Sequence, residues 1–93
     1  WLARHGPPAK ESAARLRDGA FAPDGPLALN THGGLLSFGH SGVAGGMSHV
    51  AEAWLQMSGR AGDRQISPRR RAFVHADGGV LSSHVSLILE RRD

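Results

Sequence analysis

A chain of 93 residues makes one small domain or part of a larger one. At this length only roughly 60–65% of the unfolded surface is buried on folding, so the core is marginal without help. The absence of cysteine excludes a disulfide scaffold, a zinc site built on thiolates and a thiolate nucleophile supplied by these residues. The net charge of +3 comes largely from arginine, in the run Arg69, Arg70, Arg71 and again at Arg91 and Arg92, and such runs ordinarily form a solvated surface.

Nucleic-acid binding needs a continuous basic face with stacking aromatics. The aromatics here are Trp1, Phe21, Phe38, Trp54 and Phe73, and none is interleaved with the arginines, so no nucleic-acid partner is expected. A small phosphate-bearing ligand at residues 69–71 stays open as a second reading of that cluster. No window approaches the ~20 apolar residues of a membrane span, and no charged-then-apolar leader is visible. The expectation is a cytoplasmic protein. The chain begins at Trp1 rather than Met, which reads as a fragment or a processed piece.

In chain order, Pro7 and Pro8 precede a run of good helix formers, residues 9–17, with Gly19 as a stop. Its apolar face is only Ala13, Ala14 and Leu16, so residues 1–19 are a weakly structured lead-in or a short helix. Residues 21–26 form a turn set by Pro and Gly, and Leu27-Ala28-Leu29 reads as the end of a strand. The stretch 30–46, NTHGGLLSFGHSGVAGG, has six glycines and two histidines beside Leu35, Leu36 and Phe38. That mixture suggests a tight, buried turn whose backbone comes close to something. Val43, Met47, Val50, Ala51, Trp54 and Leu55 then recur at helical spacing, which predicts a helix over 43–58 ended by Gly59. A polar loop follows to Pro68. Residues 71–75 read as a strand, 76–79 as a Gly-rich turn and 80–89 as a second strand, together an antiparallel hairpin.

A strand, a Gly-rich turn and a helix start can expose backbone N–H groups to an anion or oxyanion. The glycines could equally serve close packing, where a Cβ has no room. The P-loop spacing is absent, and so is the acidic residue of a dinucleotide fingerprint. His40, between Gly39 and Ser41, is free to face a cleft and act as a base. His75, at the expected end of a strand, sits at the rim of a sheet. His32 is read as bonding its own turn, and His49 and His84 as structural. No two histidines have ligand spacing on a helix, so no metal site is expected.

The motif Asn30-Thr-His-Gly-Gly-Leu-Leu-Ser-Phe-Gly-His40, a helix, and then His75-Ala-Asp-Gly-Gly-Val-Leu-Ser-Ser-His84 resembles the C-terminal end of the thiolase superfamily. The sterol-carrier-protein-x-like branch, often labelled lipid-transfer protein or acetyl-CoA acetyltransferase, is the nearest in pattern, over about residues 20–90. The resemblance implies an α/β thiolase-like fold of two similar halves, each a mixed five-stranded sheet with packed helices. This chain would be the later part of the C-terminal half, ending in a β-hairpin, with the domain fragment over 20–93.

By the same resemblance, His40 is the base that also helps bind the thioester oxygen, with Ser41 in place of the usual proline. His75 stands where a second, proton-exchanging cysteine is usual. Asn30, Gly39, Asp77, Gly78 and Gly79 would surround the substrate, a coenzyme A thioester, with no permanently bound cofactor. The implied activity is acyl transfer or carbon–carbon bond cleavage in lipid or sterol side-chain metabolism. One alternative is a retro-aldolase subunit that cleaves a β-hydroxyacyl-CoA with an OB-fold partner. Another is a non-catalytic lipid- or acyl-CoA-binding or assembly module. The implied partners are the rest of the thiolase chain, including its nucleophile-bearing first half, and a second copy in a homodimer. These residues alone are expected to be inactive.

Overall fold

Residues 9–92 are described by a computed structural model, so the Pro7–Pro8 helix start lies outside the described residues. Helix α1 (Ala9–Arg17) has Glu11 in its first turn and Arg15 and Arg17 in its last, an order that suits the helix dipole. Leu16 is 67% exposed, so the helix is as weakly anchored as its composition implies.

The chain then folds back on itself. The Leu27 N–H donates to the Ala20 carbonyl at 3.1 Å and the Leu29 N–H to that of Phe21 at 3.1 Å. The Arg69 guanidinium donates to the Gly25 carbonyl at 2.8 Å, which ties this turn to the loop before the hairpin. Residues 27–29 are therefore not the strand end expected from sequence. Their amides bond the preceding turn instead of a neighbouring strand, and Pro26 offers no donor just before them.

The Gly-rich stretch is not one buried turn. It forms a single-turn helix α2 (Gly34–Phe38), a 3-10 turn (Gly42–Ala44) and the start of helix α3 (Gly45–Ser58). Gly34 and Gly45 are buried, whereas Leu36 and Val43 are fully exposed. Gly59 caps α3 in the left-handed conformation, as its position predicted, and its N–H bonds the Gln56 carbonyl.

The orientation of α3 departs from the apolar pattern. Met47 and Trp54 on the predicted apolar stripe are 63% and 53% exposed, while Gly45 and Glu52 on the far side are buried. Two physical causes act together. Gly46 has no side chain, which lets Ala76 approach so closely that an added Cβ would lie 3.1 Å from the Ala76 Cβ. Meanwhile the Glu52 carboxylate is drawn inward by three hydrogen-bond donors.

Strands β1 (Arg71–Gly78) and β2 (Ser83–Glu90) pair antiparallel in the register His75↔Ser86 and Asp77↔His84. The expected turn at 76–79 moves three residues on. Ala76, Asp77 and Gly78 stay in the ladder, and the left-handed positions fall on Gly79 and Leu81. His75 is consequently inside a strand, not at its end. Alternation along the strands places Ala72, Val74 and Ala76 on the face toward α3, and Phe73, His75 and Asp77 on the opposite face. Among the described residues the buried apolar side chains are Ala61 and Val74, and no large side chain is fully buried. So small a core is weak support for an isolated domain.

Candidate functional site

Gly39 links α2 to His40 at φ 120°, ψ 154°, a conformation open essentially to glycine alone. A Cβ there would meet nothing within 4 Å, so the constraint is torsional rather than steric. Gly39→Ala is expected to destabilise the protein by roughly 1–3 kcal/mol through backbone strain and to move His40, read out as a lowered melting temperature. An unchanged melting temperature would mean that the turn relaxes freely.

His40 is exposed, and its Nδ1 accepts the Gly42 N–H at 2.9 Å. A backbone N–H can only donate, so the neutral ring carries its proton on Nε2. The free pole of His40 is then a hydrogen-bond donor. The ring also lies over Gly45, where an added Cβ would come within 3.1 Å of Cε1. His40 and Ala76 thus pack on the adjacent residues Gly45 and Gly46, so both motifs meet at the first turn of α3.

His75 is exposed on the face of the hairpin turned away from α3. Its Nδ1 is 2.9 Å from the Ser86 Oγ across the ladder. Its ring is nearly parallel to those of Phe73, at 6.4 Å, and His84, at 5.5 Å between centroids. The two candidate rings are therefore held by separate partners, although their motifs meet at one end of the helix. Asn30 has a positive φ of 48°, with its side chain beside Gly34. Asp77 pairs across the ladder with His84, Gly78 ends the ladder, and Gly79 opens the turn.

Sequence reasoning missed a buried polar cluster beneath this region. Glu52 is 6% exposed. It accepts hydrogen bonds from Thr31 Oγ1 at 2.7 Å, Gln56 Nε2 at 2.9 Å and Arg64 Nη2 at 2.9 Å. Burial alone would push its carboxyl up. The three hydrogen bonds and the Arg64 charge outweigh burial and hold the pKa at about 2. His32, read as bonding its own turn, is instead buried against His49, with Nε2 and Nδ1 3.2 Å apart. Burial, then the His49 charge, lower its pKa. The one available signal was the i,i+4 pair Glu52–Gln56, a carboxylate and an amide on the side of the helix away from its apolar stripe.

A groove of about 570 Å³ runs between residues 26–32, the Glu52 side of α3 and residues of both faces of β1, lined by Leu29, His32, Ile66 and Phe73 among others. Of the candidate site residues it takes in Asn30 and His75, but not His40, Asp77, Gly78 or Gly79. Of the arginine run, Arg69 holds the Gly25 carbonyl and Arg71 pairs with Glu90 at 3.1 Å, which engages both in structural contacts. Among the described residues no group of three His, Cys, Asp or Glu is placed to hold a metal ion. Nor is any described helix long and apolar enough to cross a membrane.

An α/β chain ending in a hairpin, with a Gly-rich His40 turn leading into the helix that packs on it, is the architecture that the motifs implied. The chain belongs to the thiolase C-terminal domain-like family, which it matches over residues 7–91, α1 included. It is similar to the benzoylsuccinyl-CoA thiolase subunit BbsB of Thauera aromatica, at 34% identity over 73 residues. The match covers 77% of this chain and 19% of that subunit, so the chain spans about a fifth of that relative's length. No solved structure matches it.

Proposed function

We propose that this chain is the C-terminal part of a thiolase-like enzyme that acts on coenzyme A thioesters, by acyl transfer or carbon–carbon bond cleavage. The observation that carries this reading is the family match across residues 7–91, which includes both histidine motifs. The likeness to a subunit named as a benzoylsuccinyl-CoA thiolase supports a CoA thioester as substrate. No bound cofactor enters the chemistry. The reading places the rest of a thiolase chain, and a second copy of it, around this domain in the cytoplasm. The exposed Met47 and Trp54 and the small core support such a covering.

In this reading the Nε2–H of His40 donates to the thioester carbonyl oxygen, where negative charge develops as an enolate or tetrahedral species forms. His75 moves the proton at the reacting carbon or hydroxyl. The catalytic pair is then His40 and His75, with Asn30, Gly39, Asp77, Gly78 and Gly79 around the substrate. A cysteine acyl-enzyme would need its nucleophile from outside these residues, since they hold none.

His75, in place of a thiol, also favours a retro-aldol variant. A base takes the β-hydroxyl proton, the Cα–Cβ bond breaks to release a carbonyl compound, and the thioester enolate is then protonated at Cα. That reaction needs acid–base groups and no acyl-enzyme. A lipid or sterol side chain is the acyl group we assign to it, with an OB-fold protein as the assembly partner.

The two chemistries separate on substrate. Incubating the full-length polypeptide, with and without such a partner, tests β-ketoacyl-CoA plus free CoA against β-hydroxyacyl-CoA alone. Turnover of the first indicates thiolysis, and release of a carbonyl compound from the second indicates retro-aldol cleavage. Binding of either thioester with no turnover of both would leave a non-catalytic acyl-CoA-binding module.

A further inference from the structure

The side chains around His75 form an ordered set that its proposed role does not by itself require. Across the ladder, Ser86 is the direct partner of His75, and its Oγ is 2.9 Å from Nδ1. Directly opposed residues on one face of an antiparallel pair hold their side chains within contact distance, so the backbone register brings the two groups together. On the same face the Phe73 ring lies 9° from parallel with the His75 ring, and the His84 ring 18°. The imidazole thus lies nearly parallel to two neighbouring rings and is hydrogen-bonded at one nitrogen.

This geometry controls which nitrogen can react. A serine hydroxyl can accept from an N–H or donate to a lone pair. When Nδ1–H donates to Ser86 Oγ, the proton is held on the inner nitrogen and the Nε2 lone pair is left free. That is the tautomer a proton acceptor needs, and holding a histidine in the productive tautomer through its other nitrogen is a general device of proton-transfer sites. We infer that Ser86 is a positioning residue for His75, accepting the Nδ1–H so that Nε2 stands as the proton acceptor toward substrate. This assignment rests on the reading of His75 as a proton-transfer group, and it can fail while that reading stands.

The isosteric pair Ser86→Thr and Ser86→Val tests it. Threonine and valine have nearly the same shape and both suit a strand, so their difference isolates the hydroxyl from packing and folding. In the full-length polypeptide, Ser86→Val is expected to lower kcat roughly tenfold, the scale of one hydrogen bond, with KM unchanged. Ser86→Thr is expected to restore most of it. In ¹⁵N spectra, the wild type and Ser86→Thr should show His75 protonated on Nδ1, and Ser86→Val a mixture of tautomers. Equal kcat for the Val and Thr variants, or an Nε2–H tautomer in the wild type, would overturn the role of Ser86. His75→Ala separates the two claims. If it costs 10²-fold or more while Ser86→Val costs nothing, only the Ser86 assignment fails. If it costs nothing, the reading of His75 fails, and the Ser86 assignment with it.

Discussion

Replacing His40 by alanine in the full-length polypeptide is expected to lower kcat roughly 10²–10⁴-fold on a CoA thioester, the usual contribution of one acid–base or oxyanion-stabilising group. The structure adds a finer expectation. Because Nδ1 is occupied by the Gly42 N–H, the reactive pole of the neutral ring is a donor. Glutamine can also present an N–H donor, so His40→Gln should retain more activity than His40→Ala. A base acting through Nε2 would show no such rescue, because a glutamine amide cannot accept a proton at neutral pH. Steady-state kinetics on the two variants therefore distinguish oxyanion binding from base catalysis. Near-normal turnover in both would remove His40 from the mechanism.

Glu52→Gln is expected to destabilise the protein by about 2–3 kcal/mol. Three donors converge on a carboxylate that is 6% exposed, and loss of one partner from a buried charge network leaves the others unpaired. Arg64 is 44% exposed on its side chain and can return to water, which keeps the loss below the upper range for a buried pair. Arg71→Ala, which breaks an ion pair between well-exposed partners, should change stability by less than about 1 kcal/mol. Urea midpoints of the three proteins compare these directly. Equal midpoints for the wild type and Glu52→Gln would mean that the network contributes nothing.

The same cluster sets the acid limb of stability. The native Glu52 carboxylate resists protonation down to about 2, whereas the unfolded chain takes up that proton near the ordinary 4.5. Acid therefore favours the unfolded chain, and about 3 kcal/mol contributed by Glu52 is present above pH 4.5 and lost as the pH falls toward 2. His32 acts in the same direction at higher pH. Burial, then the His49 charge, lower its native pKa below the ordinary 6.5, so its contribution starts to be lost as the pH falls through 6.5. The Glu52→Gln variant should lack the lower limb and keep the upper one.

Sequence reasoning located the elements whose causes are local. Gly59 ended α3 where a left-handed cap was due, and residues 71 to 90 formed the expected hairpin. The failures were non-local. Helical spacing put Met47 and Trp54 on one apolar face of the helix, but a contact that orients α3 is Gly46 against Ala76, thirty residues apart, and no periodicity encodes it. The hairpin turn slipped from 76–79 to 79–82 because Asp77 and Gly78, turn formers by propensity, are held in the ladder by His84 and Ser83. Leu27 to Leu29 looked like a strand by composition, yet their amides found the turn at 20–21 first.

The site divided in the same way. His40 and His75 were legible as candidates, His40 because it lies between Gly39 and Ser41 and His75 because Asp77, Gly78 and Gly79 follow it closely. Their partners were not, because the Gly42 N–H and the Ser86 hydroxyl carry no signal until the register is known. The Thr31–Glu52–Arg64 network was invisible for a related reason. Its members lie 21 and 12 residues apart along the chain and meet only when residues 30–32 and 62–64 close on α3.

The most direct measurement is turnover of β-ketoacyl- and β-hydroxyacyl-CoA by the full-length polypeptide, beside a double variant carrying His40→Ala and His75→Ala. The expected result is turnover of at least one thioester by the wild type and its loss by 10²-fold or more in the double variant, with thioester binding retained. Equal turnover by both proteins, or binding with no turnover in either, would contradict a catalytic role for this domain.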